Sequence, residues 1–299
     1  GRRSADRCRV DGMAANAEAA GMAALKSADQ DRYLATLYAP AEKREALATL
    51  YLFNAEIAAI RDRVRDPMPG EIRIQWWRDA LGAGVDGAAG HPLAEALVRV
   101  IEEYRLPVAA FDRYLEARIF DLYDDPMPSR TDLEGYCGET ASAIVQLAAL
   151  ILDPAAAPRF ASAAGHAGCA LAIAGILRLL PLHRARGQCF VPADILAAAG
   201  TNRDDFIHGT RLESARRAVE AMVALGRDHF VRFETEAKGM PPGLRPAFLP
   251  AALSAPYFDR ITAKSFDPLS QNADISVIRR HWTLLRRTLR GWGPAEVSL

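Results

Sequence analysis

Two groups of aspartates carry a spacing that divalent-cation chemistry uses. Asp62 and Asp66 form a D-x-x-x-D pair, and Asp121 stands four residues before Asp125, with Asp124 between them. Residues three or four apart share a helix face, so each group could turn two carboxylates toward one magnesium ion. Magnesium takes oxygen ligands in octahedral array and bridges them to phosphate oxygens. The chemistry would be neutralisation of a departing phosphate or diphosphate. The surroundings favour a plainer reading. Arg61, Arg63 and Arg65 interleave with the first pair and Pro67 follows it, as at a solvated, self-compensated helix end. Asp124 and Asp125 precede Pro126 and read as a helix-ending turn. Arg178, Arg184 and Arg186, with His183 among them, are the opposite candidate. They could bind an anion such as a phosphate or a lipid headgroup, or serve as solvent-facing and helix-capping residues. Trp76-Trp77-Arg78 joins two large aromatics to a cation; one Trp suits the core and the other a partner or a membrane interface.

Other chemistries lack their residues. Cys8, Cys137, Cys169 and Cys189 form no C-x-x-C pair and no Cys/His group has zinc spacing, so buried thiols are expected and no metal site is assigned. His91, His166, His208, His229 and His281 are scattered and take no role. A nucleophile elbow, a P-loop and a dinucleotide fingerprint are missing; Gly82-Ala83-Gly84 lacks the flanking strand. No residue is assigned to catalysis. Basic and acidic residues balance at 37 each, so no net positive field points to nucleic acid.

The elements that must hold these residues read as helices. Ser27 to Gln30 has the form of a capping box, with Ser27 as N-cap. Apolar residues then recur at helical spacing over 42–65, 71–81, 93–104, 108–123, 133–152, 157–180, 192–199, 212–237, 249–264 and 277–289. Prolines punctuate most junctions, Pro181 among them, and 82–90 and 184–191 read as loops. Gly165, Gly168, Ala172 and Gly175 leave one helix face nearly flat, which permits close packing. The apolar stretches 141–152 and 167–176 are too short to span a bilayer and suit buried helices. Convincing β-alternation and internal repeats are not found. A chain of 299 residues, half of them hydrophobic, therefore predicts one all-α domain over 27–290. Residues 1–26 read as a disordered leader and 291–299 as a tail. No apolar segment follows the N-terminal arginines, Asp6, Asp11 and Glu18 argue against a presequence, and Met13 or Met22 could each be a start.

Three segments together resemble the squalene/phytoene synthase family. In the first, Arg44, Leu50, Tyr51 and Phe53 match a family segment that continues into acidic residues. In the second, Arg178, Gly187, Phe190, Pro192, Asp194 and Leu196 match. The third, Tyr136 to Ala141, resembles a conserved-pattern helix of the family. The likeness covers roughly residues 28–290. It implies an all-α, single-domain bundle of the isoprenoid-synthase type. It also implies a site where magnesium, held by two acidic clusters, pulls diphosphate from prenyl substrates that then join head to head.

Here the chain departs from the family. The first cluster's positions fall on Ala58, Ala59 and Asp62, and the second cluster's on Leu179, Leu182 and His183. Losing such charge clamps removes several kcal/mol of transition-state stabilisation per interaction. A non-catalytic member is therefore expected, with no cofactor. Around the remaining pocket the resemblance places Tyr51, Phe53, Asn54, Tyr136 and Glu139, and for anion binding Arg44, Arg178, Arg184 and Arg186. An ionised Glu139 in an apolar helix needs a partner or a cavity. Asp31-Arg32-Tyr33, Phe53 to Ile57 and Ile74 to Asp79 resemble a branch that includes a mitochondrial assembly factor of respiratory complex I. That branch implies complex I subunits as partners and a cytoplasmic chain, peripheral on the inner membrane (on the matrix side in a eukaryote). It also leaves room for a prenyl lipid in the retained cavity. The alternative is a magnesium-dependent prenyltransferase acting on farnesyl or geranylgeranyl diphosphate. Four or more carboxylates converging on one cavity from other positions would overturn the non-catalytic reading.

Overall fold

The computed structural model describes residues 19–292, and among these the regular elements are helices, with no strand. The principal ones are α1 (Gln30–Thr36), α2 (Ala41–Ala58), α3 (Pro67–Ala83), α4 (Pro92–Tyr104), α5 (Val108–Arg118) and α6 (Arg130–Leu152). There follow α7 (Ala161–Arg178), α8 (Leu180–Ala185), α9 (Leu212–Glu236), α10 (Ser254–Ile261) and α11 (Val277–Arg290). The bundle is all-α, as expected from the sequence.

α7 lies at the centre, against α6, α9 and α10. Its composition explains the position: Ala163, Ala167, Ala170, Ile173, Ala174 and Leu177 are all buried, and a helix apolar on every side has no face to give to water. A second layer forms where α2 packs on α4 and α6, and α3 on α5. There Phe53 meets the edges of Trp77 and Phe111, with ring centroids 5.2 and 5.7 Å apart. Trp77 is thus the core member of the Trp pair, while Trp76 is 38% exposed.

Several element boundaries differ from those the sequence predicts, each for a local reason. The N-cap of α1 is Asp29, whose side chain accepts the Arg32 amide; Ser27 lies in the last turn of a preceding helical segment, 19–28. The predicted leader therefore includes folded residues, and Leu25 is fully buried. Residues 1–18 and 293–299 of the predicted leader and tail lie outside the described residues, while Trp292 packs on Phe233 and Phe248. The long 42–65 helix breaks at Ala59, and a short turn, Ile60–Arg63, follows. Pro181 does not merely end α7; it occupies the first turn of α8, where its missing N–H costs nothing. α6 carries a π-helical turn over Gly138–Ser142, a distortion common at functional sites. α6 and the segment Ala157–Arg178 are 23 and 22 residues long, enough by length and composition to cross a bilayer. More than half of each apolar window is buried inside the fold.

Candidate functional site

The ends of these helices enclose a cavity of about 620 Å³, within the range of small-molecule sites. All six positions aligned with the family's acidic clusters face it: Ala58, Ala59 and Asp62 from one side, Leu179, Leu182 and His183 from the other. Part of its wall comes from small residues on α7, among them Ala172 and Gly175, and from Thr140 and Ala141 in the π turn. Part of the face read as a packing surface is therefore cavity wall. Only Gly168 makes the close approach, against the backbone of Ser142, whereas a Cβ on Gly165 or Gly175 would meet nothing within 4 Å.

Five aspartates line the cavity: Asp29, Asp31, Asp62, Asp121 and Asp274. Six arginines line it with them: Arg32, Arg61, Arg118, Arg178, Arg186 and Arg280. The count of carboxylates reaches the number set above, but each is already held by a cation. Asp29 binds Arg32 at 2.6 Å and caps α1. Asp62, instead of compensating arginines on its own turn, reaches Arg186 at 2.5 Å. Asp31 sits between Arg280 at 2.7 Å and Arg178 at 3.4 Å, and accepts the Tyr257 hydroxyl at 2.7 Å. The Arg280 contact is an ion pair whose Nε–H is not aimed along a hydrogen bond. Asp274 takes the other arm of Arg280 at 2.7 Å.

Asp121 is the hub of a second network. It accepts Arg118 at 2.9 Å and the Tyr136 hydroxyl at 2.5 Å, while Gln188 donates to its backbone carbonyl. Arg118 also donates toward the Tyr114 hydroxyl and toward the Asn54 side-chain oxygen. Burial disfavours a charge on Arg118, yet Tyr114, Tyr136 and Asp121 outweigh it and hold the pKa above its ordinary value. Burial and then Asp121 raise the Tyr136 phenol, so it stays protonated and donates. His183 occupies a former acid position as a neutral ring: burial first, then Arg186, push its pKa down to about 4. Its Nδ1 and the Nε of Arg61 are buried without hydrogen-bond partners.

This donor set does not fit a cluster of magnesium ions. Four of the six family positions are Ala or Leu, and one is a neutral imidazole. The aspartates present belong to separate arginine pairs, and among the described residues no three His, Cys, Asp or Glu side chains stand where one metal could share them. What the arrangement offers is a cavity whose charged side chains are paired with one another and largely buried, beside apolar residues such as Leu179 and Leu182 that reach its exposed part.

The chain matches the squalene/phytoene synthase family model over residues 25–286. It belongs to the squalene/phytoene synthase family. Mouse NADH dehydrogenase (ubiquinone) complex I, assembly factor 6 is 27% identical over 244 residues, covering 81% of this chain and 73% of that protein. The 15-cis-phytoene synthase of Synechococcus elongatus is 22% identical over 270 residues, covering 86% and 88%. Among solved structures, squalene synthase HpnC from Alicyclobacillus acidocaldarius superposes with a TM-score of 0.70 at 22% identity, covering 82% of this chain and 93% of that one. The family thus contains both prenyltransferases and proteins named as assembly factors.

Against this family member's cavity the remaining sequence candidates sort by location. Asn54, Tyr136, Arg178 and Arg186 line it. Tyr51 and Phe53 lie in the core beneath, both under 3% exposed. Arg44 donates to the carbonyls of Ala39 and Leu37 and so closes the end of α1. Arg184 donates to the carbonyls of Phe206 and Leu269, tying the short helix Arg203–His208 to the turn at Leu269. Glu139 does not line the cavity: it is about half exposed, so water as well as Arg113, at 3.4 Å, solvates its charge. Sequence reasoning missed Arg118, Arg280, Tyr257 and Asp274: Arg280 and Tyr257 meet Asp31 from the far end of the chain, while the local pairs Arg118–Asp121 and Asp274–Arg280 look in sequence like ordinary surface pairs. It also missed a polar link between helices: His229 Nε2 lies 2.9 Å from Glu134, and its Nδ1 lies 3.0 Å from His166 Nδ1.

Proposed function

We propose that this protein is a non-catalytic member of its family that assists assembly of respiratory complex I and holds a prenyl-lipid-like molecule in its cavity. The single observation that carries the reading is the state of the cavity's carboxylates. Five of the six acid positions are replaced, and each aspartate that lines the cavity is paired with an arginine. A diphosphate could meet the arginines, but the ion cluster that withdraws it as a leaving group has no ligand set. The assembly role comes from the relatives: complex I assembly factor 6 proteins of mouse, rat, cattle and human are 27–28% identical over 244 residues. The lipid is suggested by the cavity itself, which is open and lined by both apolar and charged side chains. A peripheral location on the membrane that carries complex I follows, on the matrix side where that membrane is mitochondrial.

The decisive experiment incubates the purified protein with farnesyl and geranylgeranyl diphosphate plus magnesium and measures released diphosphate. No turnover by folded protein is expected. Turnover abolished by Asp62→Ala would establish the prenyltransferase alternative instead. In cells, loss of the gene should lower NADH:ubiquinone oxidoreductase activity, and Asp62→Ala should restore it as well as wild type.

A further inference from the structure

α11 is amphipathic the wrong way round. Its buried residues are Arg280 and Leu284. The large apolar side chains face out: Ile278 is 83% exposed, Trp282 64%, Leu285 40% and Leu289 71%. Their spacing of four, three and four residues places them within an arc of about 60° on a helix of 3.6 residues per turn. An ordinary surface helix turns such a stripe toward the core.

The inversion is held in place. Arg280 is fixed by Asp31 and Asp274, Arg287 by Glu234 and Arg279 by Asp259. Arg245 donates to the carbonyls of Thr288 and Leu289 at the C-terminal turn. The helix therefore cannot roll its apolar stripe inward without breaking several ion pairs.

We infer that α11 is a membrane-docking helix that inserts this stripe into the interface of a bilayer carrying anionic lipid. Charge decides between a bilayer and a protein groove. The helix contains five arginines and one histidine and no acidic residue. Arg286 and Arg290 lie on one flank of the stripe, exposed and outside every ion pair among the described residues. His281, also exposed, lies on the other flank. Apolar residues with an aromatic, flanked by cations, are the composition that settles at the headgroup boundary of anionic membranes. The opposite face of the same helix puts Arg280 into the cavity wall, so one rigid element touches both membrane and cavity.

The inference deepens the peripheral location proposed above. Its test contains no complex I and no prenyl substrate, so the two can fail separately. The full chain is floated with vesicles of phosphatidylcholine alone or with about one-third phosphatidylglycerol. Binding to the anionic vesicles is expected, weakened by salt. Ile278→Ser/Trp282→Ser/Leu289→Ser should lower the bound fraction about tenfold or more, and Arg286→Glu/Arg290→Glu should abolish the preference for anionic lipid. Because these side chains are exposed, thermal melting should be little changed, which separates lost docking from lost folding. Failure of the wild type to float, or equal flotation of the triple serine variant, overturns the inference. So does a dimer in solution that the serine variant dissolves, since the stripe would then be covered by a second copy.

Discussion

Arg280 shows how much one buried cation can hold in this fold. Its side chain is 5% exposed and serves Asp31, Asp274 and the Tyr257 hydroxyl at once. Removing one partner of such a pair leaves the other charge buried and unmatched, which costs about 3–5 kcal/mol where burial is complete. Arg280→Met should therefore destabilise the protein by about 3 kcal/mol in urea unfolding. Arg186→Met, which frees the half-exposed Asp62, should cost no more than about 1 kcal/mol. Equal losses would mean that Asp31 is solvated and the pair ornamental. His183 gives a pH signature. Its folded pKa of about 4 lies below the ordinary 6.5, so between those values the unfolded chain binds the extra proton. Its contribution is complete above about pH 6.5 and is lost as pH falls toward 4. Arg186, Asp62 and Asp121 surround the ring. The wild type should lose more stability between pH 7 and 5 than His183→Gln, by on the order of 1 kcal/mol; parallel curves would refute a neutral buried ring. Neither residue's role was readable beforehand. His183 showed only as a missing acid and as one of a basic, anion-binding group, and Arg280 meets Asp31 across a separation no sequence window covers.

Among the elements, α7 divides its small residues between two duties. Gly168 lets α7 touch the backbone of α6 at Ser142, whose hydroxyl donates to the Gly165 carbonyl at 2.8 Å. A Cβ there would collide with main chain, which cannot move aside as a flexible side chain can. Gly168→Ala should cost about 2–3 kcal/mol or more. Gly165→Ala, one turn earlier and facing open space, should instead gain up to about 1 kcal/mol from helix propensity. Thermal melts of the two variants would show it, and shifts of the same sign would rule out the division. Helical periodicity and proline punctuation made nearly every helix legible in the sequence. The flat face was legible too, but not which of its residues met a neighbour and which met empty space. That depends on where the π turn of α6 packs against α7. The break at Ala59 was hidden too, since no proline or glycine marks it.

At the scale of the whole molecule the family's architecture survives with its charge pattern altered: the cavity is kept, the acids that served catalysis are replaced or paired. A protein acting only as a scaffold gains nothing from such a space, because unfilled volume forfeits packing contacts. Gly175 allows that point to be tested without damage elsewhere. It lies on the cavity wall within α7, and a side chain there meets no neighbour at its Cβ. Gly175→Leu should fill part of the space while raising helix propensity, so the melting temperature should hold or rise by a few degrees, about 1 kcal/mol or less. Binding of geranylgeraniol, measured by native mass spectrometry, should fall about tenfold, and the variant should fail to restore complex I activity in a deletion strain. A stable variant that binds the alcohol like wild type removes the cavity as the lipid site. One that loses the alcohol yet restores activity fully would mean that the assembly role works through the protein's outer surface alone, with the cavity an inheritance from catalytic relatives.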